Sequence, residues 1–68
     1  MKNQTANKAL LEQNFGKIVK YKGTMFQLGE LSPLGGFYII AIESTKHTHK
    51  GAGQYVSRPT LLRLLKNQ

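Results

Sequence analysis

The densest run of groups capable of chemistry is Lys46-His47-Thr48-His49-Lys50. His47 and His49 alternate, so on a strand both imidazoles would project to one side and could hold Zn or Ni loosely. A structural zinc site takes four ligands, and the chain offers these two histidines, no cysteine and Glu43 as a third. Lys46 and Lys50 flank the pair and repel a cation. The pattern therefore points away from a metal and toward phosphate. Lys50-Gly51-Ala52-Gly53 lacks the order of a nucleotide-binding loop and runs on into Gln54-Tyr55. It is read as a pliant tip whose backbone and lysine meet a polyanion. Catalysis has less to work with. Glu12, Glu30 and Glu43 fall on separate elements, and there is neither a cysteine nucleophile nor an aspartate to orient a histidine. No enzyme, no cofactor and no metal is expected.

Charge sets the class of partner. Ten Lys and Arg face three acidic residues in 68 positions, a formal net charge of +7. After Glu43 every charged residue is basic: Lys46, Lys50, Arg58, Arg63 and Lys66. A second acid-free stretch, Gln13 to Gly29, carries Lys17, Lys20 and Lys22. Such a field attracts nucleic acid, an anionic surface or an acidic protein face. The surface that suits nucleic acid interleaves cations with flat rings. Its candidates are Lys20, Tyr21 and Lys22 on a first hairpin, Lys46, His47, His49 and Lys50 on a loop, and Tyr55 beside Arg58, with Tyr38 joining if its face is open. Plainer roles compete at each position: Tyr21 and Tyr55 capping the core edge, Arg58 and Arg63 solvating a helix, and Lys17, Lys20 and Lys22 guarding an edge strand.

The elements that must position these residues are short. Thr5 to Asn14 reads as a helix, with Thr5 as N-cap, Gly16 at the C′ position, and a polar start, Asn3 to Asn7, expected to fray. Lys17 to Tyr21 and Thr24 to Leu31 read as strands joined by a Lys22-Gly23 turn. On the first, Val19 and Tyr21 oppose Ile18 and Lys20; on the second, Phe26 and Leu28 oppose Met25, Gln27 and Leu31. Ser32-Pro33-Leu34-Gly35-Gly36 is a turn. Phe37 to Glu43 is a strand apolar on both faces, so it is either covered twice or gives one face to a ligand; burial under two helices is the preferred expectation. Ser44 to Gln54 is a loop and Tyr55-Val56 a short returning strand. Ser57 caps a closing helix that tolerates Pro59 in its first turn and carries Leu61, Leu62, Leu64 and Leu65.

The result is one small basic domain, residues 1–68, of α+β class with its first four residues frayed. It is a three- to four-stranded antiparallel sheet, a meander or small barrel, packed by a C-terminal helix and a short N-terminal one. With no cysteine there is no disulfide framework. The longest apolar run, Phe37 to Ile42, is far below the roughly 20 residues of a membrane span. The N-terminus lacks the apolar stretch of a signal peptide, so a cytoplasmic protein is expected.

Val19-Lys20-Tyr21-Lys22-Gly23, the tip Lys50-Gly51-Ala52-Gly53 and the ending Leu64-Leu65-Lys66-Asn67-Gln68 together resemble the small archaeal seven-kilodalton chromatin proteins. Those are small barrels with a C-terminal helix that bind duplex DNA without sequence preference. The order of parts spans roughly residues 17–68, and the close match is Val19–Gly23. The resemblance implies that Tyr21 and Lys22 lie on a DNA-facing side. The sequence departs from the family in its extra N-terminal segment, its fewer lysines and its apolar third strand. The function expected is a non-enzymatic nucleic-acid-binding module gripping phosphates, with DNA favoured over RNA. The alternative is a small regulator or inhibitor, of the kind phages and mobile elements encode, that binds an acidic host protein. Homodimerisation through Phe37–Ile42 would be a further use of the apolar strand, and no membrane attachment is expected.

Overall fold

The computed structural model describes residues 2–67, with side chains described from Thr5 onward. Helix α1 spans Lys2–Asn14, followed by strands β1 (Ile18–Tyr21), β2 (Thr24–Leu31), β3 (Phe37–Ala41) and β4 (Gly53–Val56) and by helix α2 (Arg58–Lys66). The strands form one antiparallel sheet in the order β1-β2-β3-β4, an open meander with β1 and β4 at its edges.

Local chemistry explains each junction. Lys22 and Gly23 both take positive φ, 50° and 82°, the backbone a two-residue type I′ hairpin demands, and Tyr21 pairs with Thr24 across it. Gly16 leaves α1 with φ 81°, as expected of a C′ glycine. Ser57 caps α2: its Oγ accepts from the Thr60 amide at 3.4 Å and donates to Thr60 Oγ1 at 2.9 Å. Pro59 sits in the first turn, where an amide would have no partner.

The core lies on one face of the sheet. Val19, Phe26, Leu28, Phe37, Ile39, Ala41 and Val56 meet Leu61 of α2, and all are buried. Leu10 and Leu11 of α1 and Leu64 and Leu65 of α2 pack on the same cluster. Both helices therefore cover one face, contrary to the expectation of a doubly covered β3.

Four boundaries move, the least of them that of β1, which begins at Ile18 and not at Lys17. Helix α1 begins before Thr5, which is an exposed residue within it and not its cap. Strand β3 stops at Ala41, short of Glu43, because the Met25 amide turns to the Glu43 carboxylate at 3.0 Å instead of a strand partner. Strand β4 begins earlier than Tyr55, at Gly53, opposite Ile40. A bulge also changes the facing of β2. Leu28 pairs with Ile39 but Glu30 with Tyr38, leaving Gly29 unpaired. Leu31 thereby comes opposite Phe37 on the helix side, not beside Met25 and Gln27.

A polar clasp joins the helices. Asn7 is 1% exposed; its amide donates to the Gly35 carbonyl at 2.8 Å, and its Oδ1 accepts from Arg58 Nη1 at 2.8 Å. Asn7, the last residue of the stretch expected to fray, is instead buried and satisfied at both ends; Met1 and the side chains of residues 2–4 lie outside the described residues. Among the described residues no helix is long and apolar enough to cross a membrane.

Candidate nucleic-acid interface

The loop that follows β3 is stitched, not pliant. The Thr45 amide donates to the Thr48 carbonyl at 2.8 Å, the Ala52 amide to His49 at 2.9 Å, and the Gly51 amide back to Ala41 at 2.8 Å. Ser44 Oγ accepts from the Lys50 amide at 3.0 Å. The hydroxyls of Thr45 and Thr24 lie 3.2 Å apart and tie the loop to the start of β2. Gly51 makes the reversal possible with φ 93°. These bonds leave the side chains of Lys46, His47, His49 and Lys50 exposed. Because β3 runs toward the β1–β2 turn, the loop sits at the same end of the sheet as Lys22. Lys20, exposed and paired with Met25, adds a cation just inside that end.

The rest of the predicted set separates. Tyr21 is half-buried on the helix-covered side, where its ring meets the edge of Phe26 at 6.0 Å and 78°. It caps the core instead of facing a ligand, because Val19 and Tyr21 share the face that the helices cover. The Lys22 ammonium lies 5.4 Å over that ring, a cation–π contact that leaves it at the turn. Arg58 stands at the far end of the sheet, half-buried and committed to Asn7. Tyr55 is 40% exposed on the uncovered face. Glu43, bonded to the Met25 amide, does not complete a site with His47 and His49. Among the described residues no group of three or more His, Cys, Asp or Glu side chains gathers around a common point, and no pocket forms.

Tyr38, expected to join the interface only if its face is open, lies on the face that the helices leave uncovered. Register places Ile18, Gln27, Ile40 and Gly53 in one row across it and Glu30, Tyr38 and Tyr55 in the next. Tyr38 and Tyr55 meet edge-to-face, with centroids 6.1 Å apart and planes at 74°. Backbone without side chains lets this surface form. A Cβ on Gly29 would sit 3.1 Å from Ile40 Cγ1, and one on Gly36 only 2.6 Å from Tyr55 Oη. Ile42, whose amide donates to the Met25 carbonyl at 3.1 Å, lies four residues beyond Tyr38, so the Lys20–Met25 row and the tyrosine row are about 13 Å apart. The alternation of apolar residues on both sides of β3 was the signal for this face; the sequence carries none for which side the helices take.

The chain matches no family model, no curated protein and no solved structure. Fold and site together define an α+β chain whose meander is covered by helices on one face and bare on the other, with cations gathered at one end of the sheet.

Proposed function

We propose that this chain is a small, non-enzymatic nucleic-acid-binding module that grips the phosphate backbone with one end of its sheet. The observation that carries the reading is the gathering of Lys20, Lys22, Lys46 and Lys50, with His47 and His49, around the β1–β2 turn and the adjoining loop. The loop holding half of these cations is fixed by its own hydrogen bonds, so little ordering entropy is lost when a polyanion docks. The formal charge of +7 supplies the long-range attraction.

Fluorescence anisotropy of labelled oligonucleotides at several salt concentrations tests the proposal. If about four phosphates are neutralised, the log–log salt slope is about −3.6, at roughly −0.9 per contact for a duplex. Binding that does not change with salt, or no binding to any nucleic acid, would refute it.

A second reading, a regulator that binds an acidic protein, draws on the unpaired edge of β4 and the bare apolar face. Both can accept a partner's strand or side chains. It predicts a stoichiometric acidic partner that stays bound after nuclease treatment.

A further inference from the structure

We infer that the bare face is a base-stacking platform for single-stranded DNA, laid across the sheet from the cationic end to the Tyr38–Tyr55 pair. This inference rests on the nucleic-acid reading above and specifies the form of the ligand. A duplex keeps its bases inside its stack, so aromatic rings on an open sheet are of use to a strand whose bases are free.

Three observations support the assignment. First, the rings are preset. Tyr55 Oη and Cε1 would lie 2.6 and 2.7 Å from a Cβ at Gly36, so the phenol occupies space that a side chain there would fill. Its contact with Tyr38 holds both rings on the uncovered face. Second, charge is divided along the face. At one end of the sheet Lys20 and the Lys46–Lys50 loop outnumber a single carboxylate, Glu43 on the Met25 amide, while Glu30 shares the row of the tyrosines. Phosphates are therefore attracted at the first end and repelled at the second, which presents bases and not backbone to the rings. Third, the surface between the two stations is Met25, Ile40 and Gln27, and one N–H of the Gln27 amide donates to the Gly16 carbonyl at 3.1 Å. A deoxyribose can lie on the apolar part of that surface, where a 2′-hydroxyl would lose water without gaining a partner from Met25 or Ile40. A second copy of the chain is a poorer occupant, since association would bring two charges of +7 together.

The absence of tryptophan gives the test a direct readout, because emission comes from tyrosines 21, 38 and 55. Titration with a thymidine oligomer should quench that emission. In the double variant Tyr38→Phe/Tyr55→Phe the remaining emitter is Tyr21, on the covered face. That variant should still bind, since a phenyl ring stacks, yet show no quench. Tyr55→Leu should weaken binding by about 5- to 150-fold, the range of one lost base–ring stack, with the salt slope unchanged. The single strand should bind more tightly than a duplex of equal length or the corresponding uridine oligomer. Four results would overturn the inference while leaving phosphate binding intact: a preference for duplex, a preference for the ribo-oligomer, an unquenched parent, or a Tyr55→Leu variant with parental affinity whose circular dichroism matches the parent. Sedimentation showing a parental dimer that Tyr55→Leu returns to monomer would overturn it as well. Failure of every oligonucleotide to bind would instead remove the function proposed above, and the inference with it.

Discussion

Replacing Arg58 separates two roles that its charge alone cannot distinguish. Its Nη1 donates to Asn7 Oδ1 at 2.8 Å, and Asn7 is 1% exposed. Arg58→Met keeps an unbranched apolar stem and removes the donor. Asn7 Oδ1 is then a buried acceptor without a partner, which costs about 1–3 kcal/mol. A central value of about 2 kcal/mol corresponds to a Tm lower by about 8–16 °C for a domain of this length. Urea denaturation should show the same loss with an unchanged m-value, because the surface exposed on unfolding is nearly the same. Combined with Asn7→Ala, the two losses should fall short of additivity by about 0.5 kcal/mol or more, since either change breaks the same bond.

Binding supplies the contrast. An arginine in contact with phosphate would, on removal, reduce the magnitude of the salt slope by about 0.9. Arg58 is committed to the clasp at the end of the sheet away from the loop, so the slope should stay at the parental value. A variant that melts with the parent and loses about 0.9 of slope would refute the clasp and restore Arg58 to the interface.

Three further outcomes follow from contacts of the same kind. Gly36→Ala would place a Cβ 2.5 Å from the Val56 carbonyl oxygen, which cannot yield without opening the β3–β4 pairing. It should cost about 1–3 kcal/mol in urea denaturation, and a change below about 0.5 kcal/mol would contradict that packing. Ser57→Ala removes the acceptor for the Thr60 amide and should lower stability by about 0.5–2 kcal/mol, read as a shift in Tm. Replacing Lys46, His47, His49 and Lys50 together with Ser should cut the magnitude of the salt slope by about 1.8 on a duplex, or about 1.4 on a single strand, for two lysine contacts. Its Tm should stay near the parent's, because the loop is held by backbone amides and by Ser44 and Thr45.

Much of the fold was legible because local chemistry dictates it. A Lys-Gly pair between two alternating runs can hardly be anything but a tight hairpin, and Lys22 and Gly23 take the positive φ it needs. Ser57 and Pro59 announce α2 by the amides they satisfy or lack. The loop cations were legible as a cluster, but their fixity was not. It arises from Thr24 meeting Thr45 and Gly51 meeting Ala41, contacts between residues far apart in sequence. Leu31 was misplaced for a similar reason. The alternation of β2 assumes an unbroken pleat, and the bulge at Gly29 breaks it, where a Cβ would crowd Ile40 Cγ1 at 3.1 Å and the Tyr38 carbonyl at 3.3 Å. Without that bulge Glu30 would point into the helices and Leu31 onto the bare face.

The openness of the tyrosine face was the hardest feature to foresee, and its cause is a polar residue. Both helices carry leucines, and nothing in their patterns assigns them to one side of β3 or to opposite sides. The Arg58–Asn7–Gly35 bonds fasten α1 to the start of α2 and to the β2–β3 turn, so the two helices share a face. Placed on opposite sides, they would have buried Tyr38 and Tyr55 as core. Asn7 lies in the stretch whose composition reads as frayed, yet it holds the arrangement that leaves the rings uncovered. A buried amide with a partner at each end specifies geometry as apolar contact cannot, because an apolar stripe can slide while a satisfied donor and acceptor cannot do so without cost.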